Sequence, residues 1–556
     1  MPRRSAALTI LTLLLFPVST LAQDAATHVR TGMLTPTATV NPLHQPVGQA
    51  LSSAAQSRPK GGRPIHPSQS AFGGVNQGPA AFAAVSQGPE GVATPFGANT
   101  SGKLLSNFNG VSSLDSAVTN FGAEFEPPDQ GLCVGNGFVV EPVNSAFTIY
   151  RHNGSVVAGP FNVNVLFAEG LTEFTSDPRC YYDRSTNTWF ATILFIAADN
   201  MSARTDIAVN TSGDPTTPWT VFHLDATDDG TNGTPSDPGC PCFGDQPLLG
   251  IDNENLYIST NEFSILGPEF NGAQIYALSK SDLIHNRPVH FVHFGNLTIG
   301  GSIAASVQPA INNGEAPAEY FLNSLDPTGT TDNRIGVWAM THQARVSAGR
   351  TPVLSSLVIA TETYGVPPNA VQKGSTSLLT TDDDRMQQVQ FINGDLWGAL
   401  TTVLTPAKDT TVRAEIAWFK VHPRLSGDVI GAADLRAQGY VAAFGNYLFY
   451  PAIQASEEGT VAMVMTLSGA TFYPSAAYTI LSGERDSFGP IKVAAAGAGP
   501  YDPQATRWGD YSAAVIDPNG KSFWLATEYI PPVASQTPDG LRNWGTRVLQ
   551  LSVESD

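Results

Sequence analysis

Short apolar runs alternate with polar turns along most of this chain, and a polar or acidic residue opens run after run. Asp177-Pro178-Arg179-Cys180-Tyr181-Tyr182-Asp183 is followed by a turn and then by Trp189-Phe190-Ala191-Thr192-Ile193-Leu194. Gly244-Asp245-Gln246-Pro247-Leu248-Leu249 leads in the same way to Leu256-Tyr257-Ile258-Ser259, and Gly509-Asp510-Tyr511-Ser512-Ala513-Ala514 to Phe523-Trp524-Leu525-Ala526. Runs of this length, bounded by turn residues, read as β-hairpins. Aligned on their opening residue they give seven anchors: Asp129, Asp177, Asp245, Gln308, Gln387, Tyr450 and Asp510, spaced 48 to 79 residues apart. A four-stranded propeller blade needs roughly 40 to 50 residues in the tightest repeat families, and longer spacings leave room for loops. The pattern therefore predicts an all-β fold, a β-propeller of seven blades, with six or eight as open alternatives. The alternating run 547–553 predicts a last strand that closes the ring and protects its edges. Residues 432–438 are expected to form a short surface helix.

The ends differ in composition. Arg3 and Arg4 precede an apolar stretch, and Thr20-Leu21-Ala22 supplies small residues for cleavage, so 1–22 reads as a signal peptide. Residues 23–103 are rich in Ala, Gly, Pro, Gln and Ser and contain a tandem repeat (71–79, then 81–89). Such a stretch buries too little apolar surface to offset its ordering entropy and predicts a disordered tether, with a partly docked or cleaved pro-segment as the alternative. The propeller domain is expected over 104–556.

Fifty-two Gly, 41 Pro and only 14% charged residues suit many short strands and turns. A net charge of −19 excludes nucleic acid and anionic membranes as partners, since phosphates would be repelled. No later run of about 20 apolar residues offers a membrane span. The expectation is a secreted monomer, extracellular or periplasmic, with an extracellular glycan or protein ligand. Cys133, Cys180, Cys240 and Cys242 suit an oxidising compartment and are disulfide candidates with three possible pairings. Cys180 joined to Cys240 or Cys242 would staple one blade to the next. Cys240-Pro241-Cys242 lacks the usual zinc-knuckle spacing.

Pro127-Pro128-Asp129 with Val134-Gly135, Asp177-Pro178 with Tyr182-Asp183 and Trp189, Gly244-Asp245-Gln246-Pro247 and Trp508-Gly509-Asp510-Tyr511 resemble a family of secreted bacterial β-propellers without an assigned activity. That family is distantly sialidase-like at the fold level. The resemblance spans about 105–555 and implies a propeller, not an activity. The Ser-x-Asp-x-Gly-x-Thr-Trp turn of bacterial sialidases does not occur here.

If each anchor opens the innermost strand of a blade, the anchors form a ring at one mouth. The ends of the returning strands, Glu141, Asn144, Asn261, Glu262, Asn323 and Glu528, join it. Candidate catalytic residues are Asp177, Asp510, Glu262, Glu528 and Tyr511, because paired carboxylates across a sugar can act as general acid and base. Candidate ligand-binding residues are Arg179, Arg507, Trp508, Asp129 and Asp245. The rival role for these aspartates is bonding turn N–H groups, which is the expectation for Asp183, Asp252 and Asp517. Asp225, Asp228 and Asp229 lie in an Asp/Asn/Gly loop that makes calcium a candidate cofactor. The EF-hand match fails at Ser236, where a bidentate Glu is required. Asp382-Asp383-Asp384 is expected as an exposed acidic turn. No other cofactor is implied. The favoured function is a binding module whose acidic, aromatic-lined mouth takes a glycan, peptide or cation. The alternative is a polysaccharide-active enzyme, either a glycoside hydrolase, sialidase-like, or a lyase.

Overall fold

The structure, a computed structural model, describes residues 26–44, 89–97, 102–122, 125–312, 314–325, 331–482, 487–501, 507–532 and 543–553. The expected signal peptide and most of the expected tether lie outside the described residues.

Strand pairing sorts the described strands into seven four-stranded antiparallel units. The first is Cys133–Gly135, Phe138–Pro142, Ala146–Arg151 and Val156–Asn162. The second is Phe174–Asp183, Thr188–Ile196, Ala203–Asn210 and Trp219–Asp225. Cys242–Ile251, Asn255–Ser264, Phe270–Ser279 and Val289–Gly295 make the third. Gln308–Asn312, Ala318–Ser324, Asp332–Thr341 and Val353–Tyr364 make the fourth. The fifth is Met386–Ile392, Asp395–Pro406, Arg413–Ser426 and Val429–Val441. The sixth is Asn446–Ala455, Val461–Gly469, Phe472–Leu481 and Lys492–Ala495. The seventh takes Ala513–Ile516, Ser522–Tyr529 and Gly545–Ser552 from the C-terminus and Leu104–Ser112 from the N-terminal side.

Two observations arrange these units radially. First strands of neighbouring units run parallel and side by side, with Ile251 opposite Ile311 and Ala310 opposite Val389. The apolar faces then fill the wedges between successive units. Phe147, Trp189 and Trp219 pack between the first and second, and Phe190, Ile258 and Phe291 between the second and third. Tyr257 and Trp338 follow between the third and fourth. The circuit ends where Trp524 of the seventh unit meets Val134 and Tyr150 of the first. The protein is a β-propeller. Each fully buried large side chain in these wedges stabilises by about 1.5–3 kcal/mol. The ring is closed by Gly545–Ser552 pairing with Leu104–Ser112 across the chain's two ends, which removes two open edges at once.

Three expectations change. The segment read as a tether carries His28–Leu34, paired with Val289–Gly295, and Pro36–Val40, paired with Trp219–Asp225. It adds a fifth strand to the outer edge of two neighbouring units. The edges supply the backbone partners that the segment lacks by itself, and Leu34 and Val40 bury in adjacent wedges. The close approach is possible at Gly32 because any Cβ there would sit 2.5 Å from the Phe291 ring. Residues 432–438 lie within the strand Val429–Val441, where pairing with Arg413–Ser426 overrides the helix preference of its alanines. The disulfides are Cys133–Cys180 and Cys240–Cys242. The first joins the innermost strands of the first and second units, so the staple exists but Cys133 is the partner of Cys180.

Candidate functional site

Several units share a backbone device at or beside the anchor. Asp177, Gln246 and Tyr450 each precede a proline and have positive φ (57°, 51° and 52°). Proline withdraws a ladder donor, so the innermost strand bulges and pairing skips a register there. The N–H left behind is caught by the unit next door. Asn144 Oδ1 accepts from Asp177 N at 2.6 Å, and Thr401 Oγ1 from Tyr450 N at 3.0 Å. Ser306, at φ 45°, donates to Asn261 Oδ1 at 2.7 Å. Aspartates repeat the device: Asp177 Oδ2 accepts from Gln246 N at 3.2 Å, and Asp129 Oδ1 from Asp510 N at 2.8 Å. The bulges thus clasp neighbouring units and aim polar side chains at one rim.

Asp129, Asp177, Asp245 and Asp510 share an electrostatic neighbourhood. Asp129 also accepts from Asn144 Nδ2 at 2.7 Å, and Asp510 is ion-paired with Arg507. Burial pushes Asp129 well above the usual carboxylate range, the Asp510 and Asp177 charges add to this, and Arg507 opposes it. Asp245 is raised by burial and by Asp177, against the pull of Arg385. Burial also works against the charge of Arg507, but Asp510 and Asp129 overcome it and hold the guanidinium above its ordinary value. Access is narrow: the side chains of Arg507 and Asp510 are 25% and 12% exposed.

Asp382, Asp383 and Arg385 complete the rim, and these the sequence reading missed. The expected exposed turn is inside. Arg385 Nε and Nη2 donate to both oxygens of Asp383 at 2.7 and 2.6 Å, and Nη2 lies 3.3 Å from Asp382. Its Nη1 donates to Gln246 Oε1 at 2.8 Å, across to the third unit. Asp382 is pushed up to about 6 by burial, with Arg385 opposing. The available signal was position, since this run directly precedes the anchor Gln387 as Pro127-Pro128-Asp129 precedes the first strand.

Other candidates are placed differently. Trp508 is fully buried in the core, donating to Thr466 Oγ1 and edge-on to Tyr501. Tyr511 is 3% exposed beneath Arg179, whose guanidinium carbon is 3.3 Å from the ring centroid. Neither ring offers a free face, so these two do not line the mouth with aromatic surface. Glu528 Oε2 accepts from Gly509 N at 2.7 Å, and burial raises the carboxyl well above its usual range. A Cβ at residue 509 would come 2.7 Å from that oxygen, so a side chain there would have to displace the Glu528 carboxyl. An axial cavity is lined by Leu132, Arg179, Leu249, Gln308, Gln388 and Ala514, drawn from six units.

Glu262 is not at the rim. It meets Asp228 and Asp237 beside the Cys240–Cys242 disulfide, one oxygen of each lying within 4.8 Å of the others. Burial pushes Glu262 up to about 10 and Asp228 up to about 6, with Asp228 reinforcing the rise of Glu262. Asp225 and Asp229, the other loop candidates, are consumed by turns: Asp225 accepts from Thr227 N and Asn232 Nδ2, and Asp229 from Thr231 N and Oγ1. Asp183, Asp252 and Asp517 likewise bond turn N–H groups.

No family model matches the chain, and no curated protein matches it. Among solved structures, a Penicillium chrysogenum α-L-arabinanase complexed with arabinobiose is similar at 12% identity, covering 80% of this chain and 98% of that one, with a TM-score of 0.34. The Hadza microbial sialidase Hz136 is similar at 8% identity over 74% and 73%, TM-score 0.39. The Dos1 propeller is similar at 8% over 82% and 96%, TM-score 0.35.

Proposed function

We propose that this is an exported binding propeller whose rim takes up a small positively charged group, such as the ammonium of a basic peptide or amino sugar. One observation carries this: Asp129, Asp177, Asp245, Asp382, Asp383 and Asp510, from five units, outnumber the guanidinium groups of Arg179, Arg385 and Arg507 that act on them among the described residues. Crowded carboxylates in a partly dry site either stay protonated or recruit a cation. The narrow opening selects a small group, and the burial of Trp508 and Tyr511 argues against sugar-ring stacking. Two disulfides suit an oxidising compartment.

A second reading, a polysaccharide-active enzyme, has one observation in its favour. Asp129 is held toward its protonated form beside Asp510, which is ion-paired, and unequal carboxyl partners suit acid–base work on a glycosidic bond.

The test is titration of the mature protein with spermidine, Lys-containing peptides and neutral oligosaccharides at two salt concentrations. Amine binding that weakens with salt and is lost in Asp510→Asn, under conditions where the variant is still folded, is expected. Salt-independent binding of neutral oligosaccharides, or cleavage of a polysaccharide that disappears in the same variant, would replace the proposal with the second reading.

A further inference from the structure

Away from the rim, three chain segments bring carboxylates together where the second unit meets the third. Asp228 and Asp237 stand at the two ends of a closed loop, with Asp237 N donating to Asp228 O at 2.8 Å. Glu262 comes from the second strand of the third unit. Asp228 is 0% and Glu262 1% exposed. Four of their oxygens, Asp228 Oδ1 and Oδ2, Asp237 Oδ2 and Glu262 Oε2, are buried with no N–H or hydroxyl donor, and the Asp228 and Glu262 carboxyls lie within hydrogen-bonding reach of each other. A buried carboxylate oxygen with no donor is costly, and here the orphaned atoms face one another.

We propose that Asp228, Asp237 and Glu262 bind a hard divalent cation, calcium in preference to zinc or magnesium. The nearest guanidinium does not fill that role. Arg30 is committed to Gly233 O at 3.3 Å, Asp225 O at 3.2 Å and His293 Nδ1 at 3.3 Å. His28, 3.7 Å from Asp237, is lowered by burial and adds little charge, so carboxyls outnumber cationic groups here and a bound dication would let them ionise. The donors are all oxygen. Cys240 Sγ lies 3.6 Å from Glu262 Oε1, but it is bonded to Cys242 and offers no thiolate, so a soft metal has no ligand here. Asn271 Nδ2 donates to Glu262 Oε1 at 2.8 Å and turns Oε2 toward the aspartates, as an outer partner orients a ligand. Calcium accepts such irregular carboxylate sets and completes its shell with backbone oxygens and water, whereas magnesium demands near-octahedral geometry. The ligands are not those of the loop pattern Asp225, Asp228 and Asp229, of which only Asp228 takes part. A bound ion would tie the 228–237 loop to the third unit beside the docked strand His28–Leu34.

The experiment is calorimetric titration of EDTA-treated mature protein with calcium chloride, paired with thermal unfolding with and without the ion. A Kd of about 0.1–1 mM, the range of extracellular calcium modules, and a raised midpoint are expected. Asp228→Asn and Glu262→Gln should each weaken binding more than about tenfold and abolish the midpoint shift, while amine binding at the rim persists in Asp228→Asn. The wild-type titration decides the matter if a variant does not fold. Absence of calcium binding at about 10 mM, well above that range, or wild-type affinity in Asp228→Asn, would overturn the site. In that case the Asp228 and Glu262 carboxyls share a proton instead.

Discussion

Replacing Arg507 by Gln tests the electrostatics of the rim directly. The guanidinium is ion-paired with Asp510 and offsets the charge of Asp129 and Asp382. Removing one partner of a buried pair costs about 3–5 kcal/mol, and the 25% exposure of the Arg507 side chain places the loss near the lower end, about 3 kcal/mol. The loss depends on pH. Asp129 and Asp382 already sit above their unfolded values, and without Arg507 they rise further. A raised carboxyl contributes stability that is fully present below its unfolded pKa and lost as pH rises through the folded one. The deficit of Arg507→Gln should therefore be largest near pH 8 and shrink toward pH 4, where the folded carboxyls are protonated and the unfolded ones are about half so. Urea unfolding at both pH values, with an unchanged m-value, measures it. A deficit that is the same at both pH values, or below about 1 kcal/mol, typical of an exposed pair, would refute the claim that Arg507 compensates buried carboxylates.

Three further outcomes follow from the same structure. Asp510→Asn breaks the same pair and should lower the urea midpoint by a similar amount while removing amine binding from the protein that remains folded; a lowered midpoint with binding intact in the folded protein would make Asp510 purely structural. Opening Cys133–Cys180 by double alanine substitution releases a loop of 47-residue separation and should cost about 4 kcal/mol by the chain-entropy relation, read from the urea midpoint. Glu141, raised by burial to about 7, contributes stability that is present below about pH 4.3, its unfolded value, and lost as pH rises toward 7; Glu141→Gln should flatten that slope, up to about 1.4 kcal/mol per pH unit, in unfolding curves taken across the interval.

Much of the architecture was legible because it repeats. Asp177, Asp245 and Tyr450 open hairpins of similar texture, and each falls within the innermost strand of a unit. Convergence of Asp129, Asp177, Asp245 and Asp510 follows from that equivalence. Legibility failed where side-chain direction decides. Glu262 stands one residue after Asn261, and successive strand residues face opposite ways, so Asn261 clasps Ser306 while Glu262 meets Asp228. Trp508 and Tyr511 are expected at the mouth because they lie beside Asp510 in sequence, yet one packs into the core and the other lies beneath Arg179. Asp382-Asp383-Asp384 looked solvated because composition does not reveal a buried arginine partner. The strands His28–Leu34 and Pro36–Val40 were hidden in a tether-like composition, since their order comes from edges contributed by residues more than 170 positions away.

Because the strand Leu104–Ser112 waits for Gly545–Ser552, the circle cannot be finished until more than 430 further residues have been made. Every shorter intermediate is an open arc with an unsatisfied rim. Ring closure is therefore a late event in folding, and an insertion or tag within Gly545–Ser552 would disturb the pairing that completes the circle.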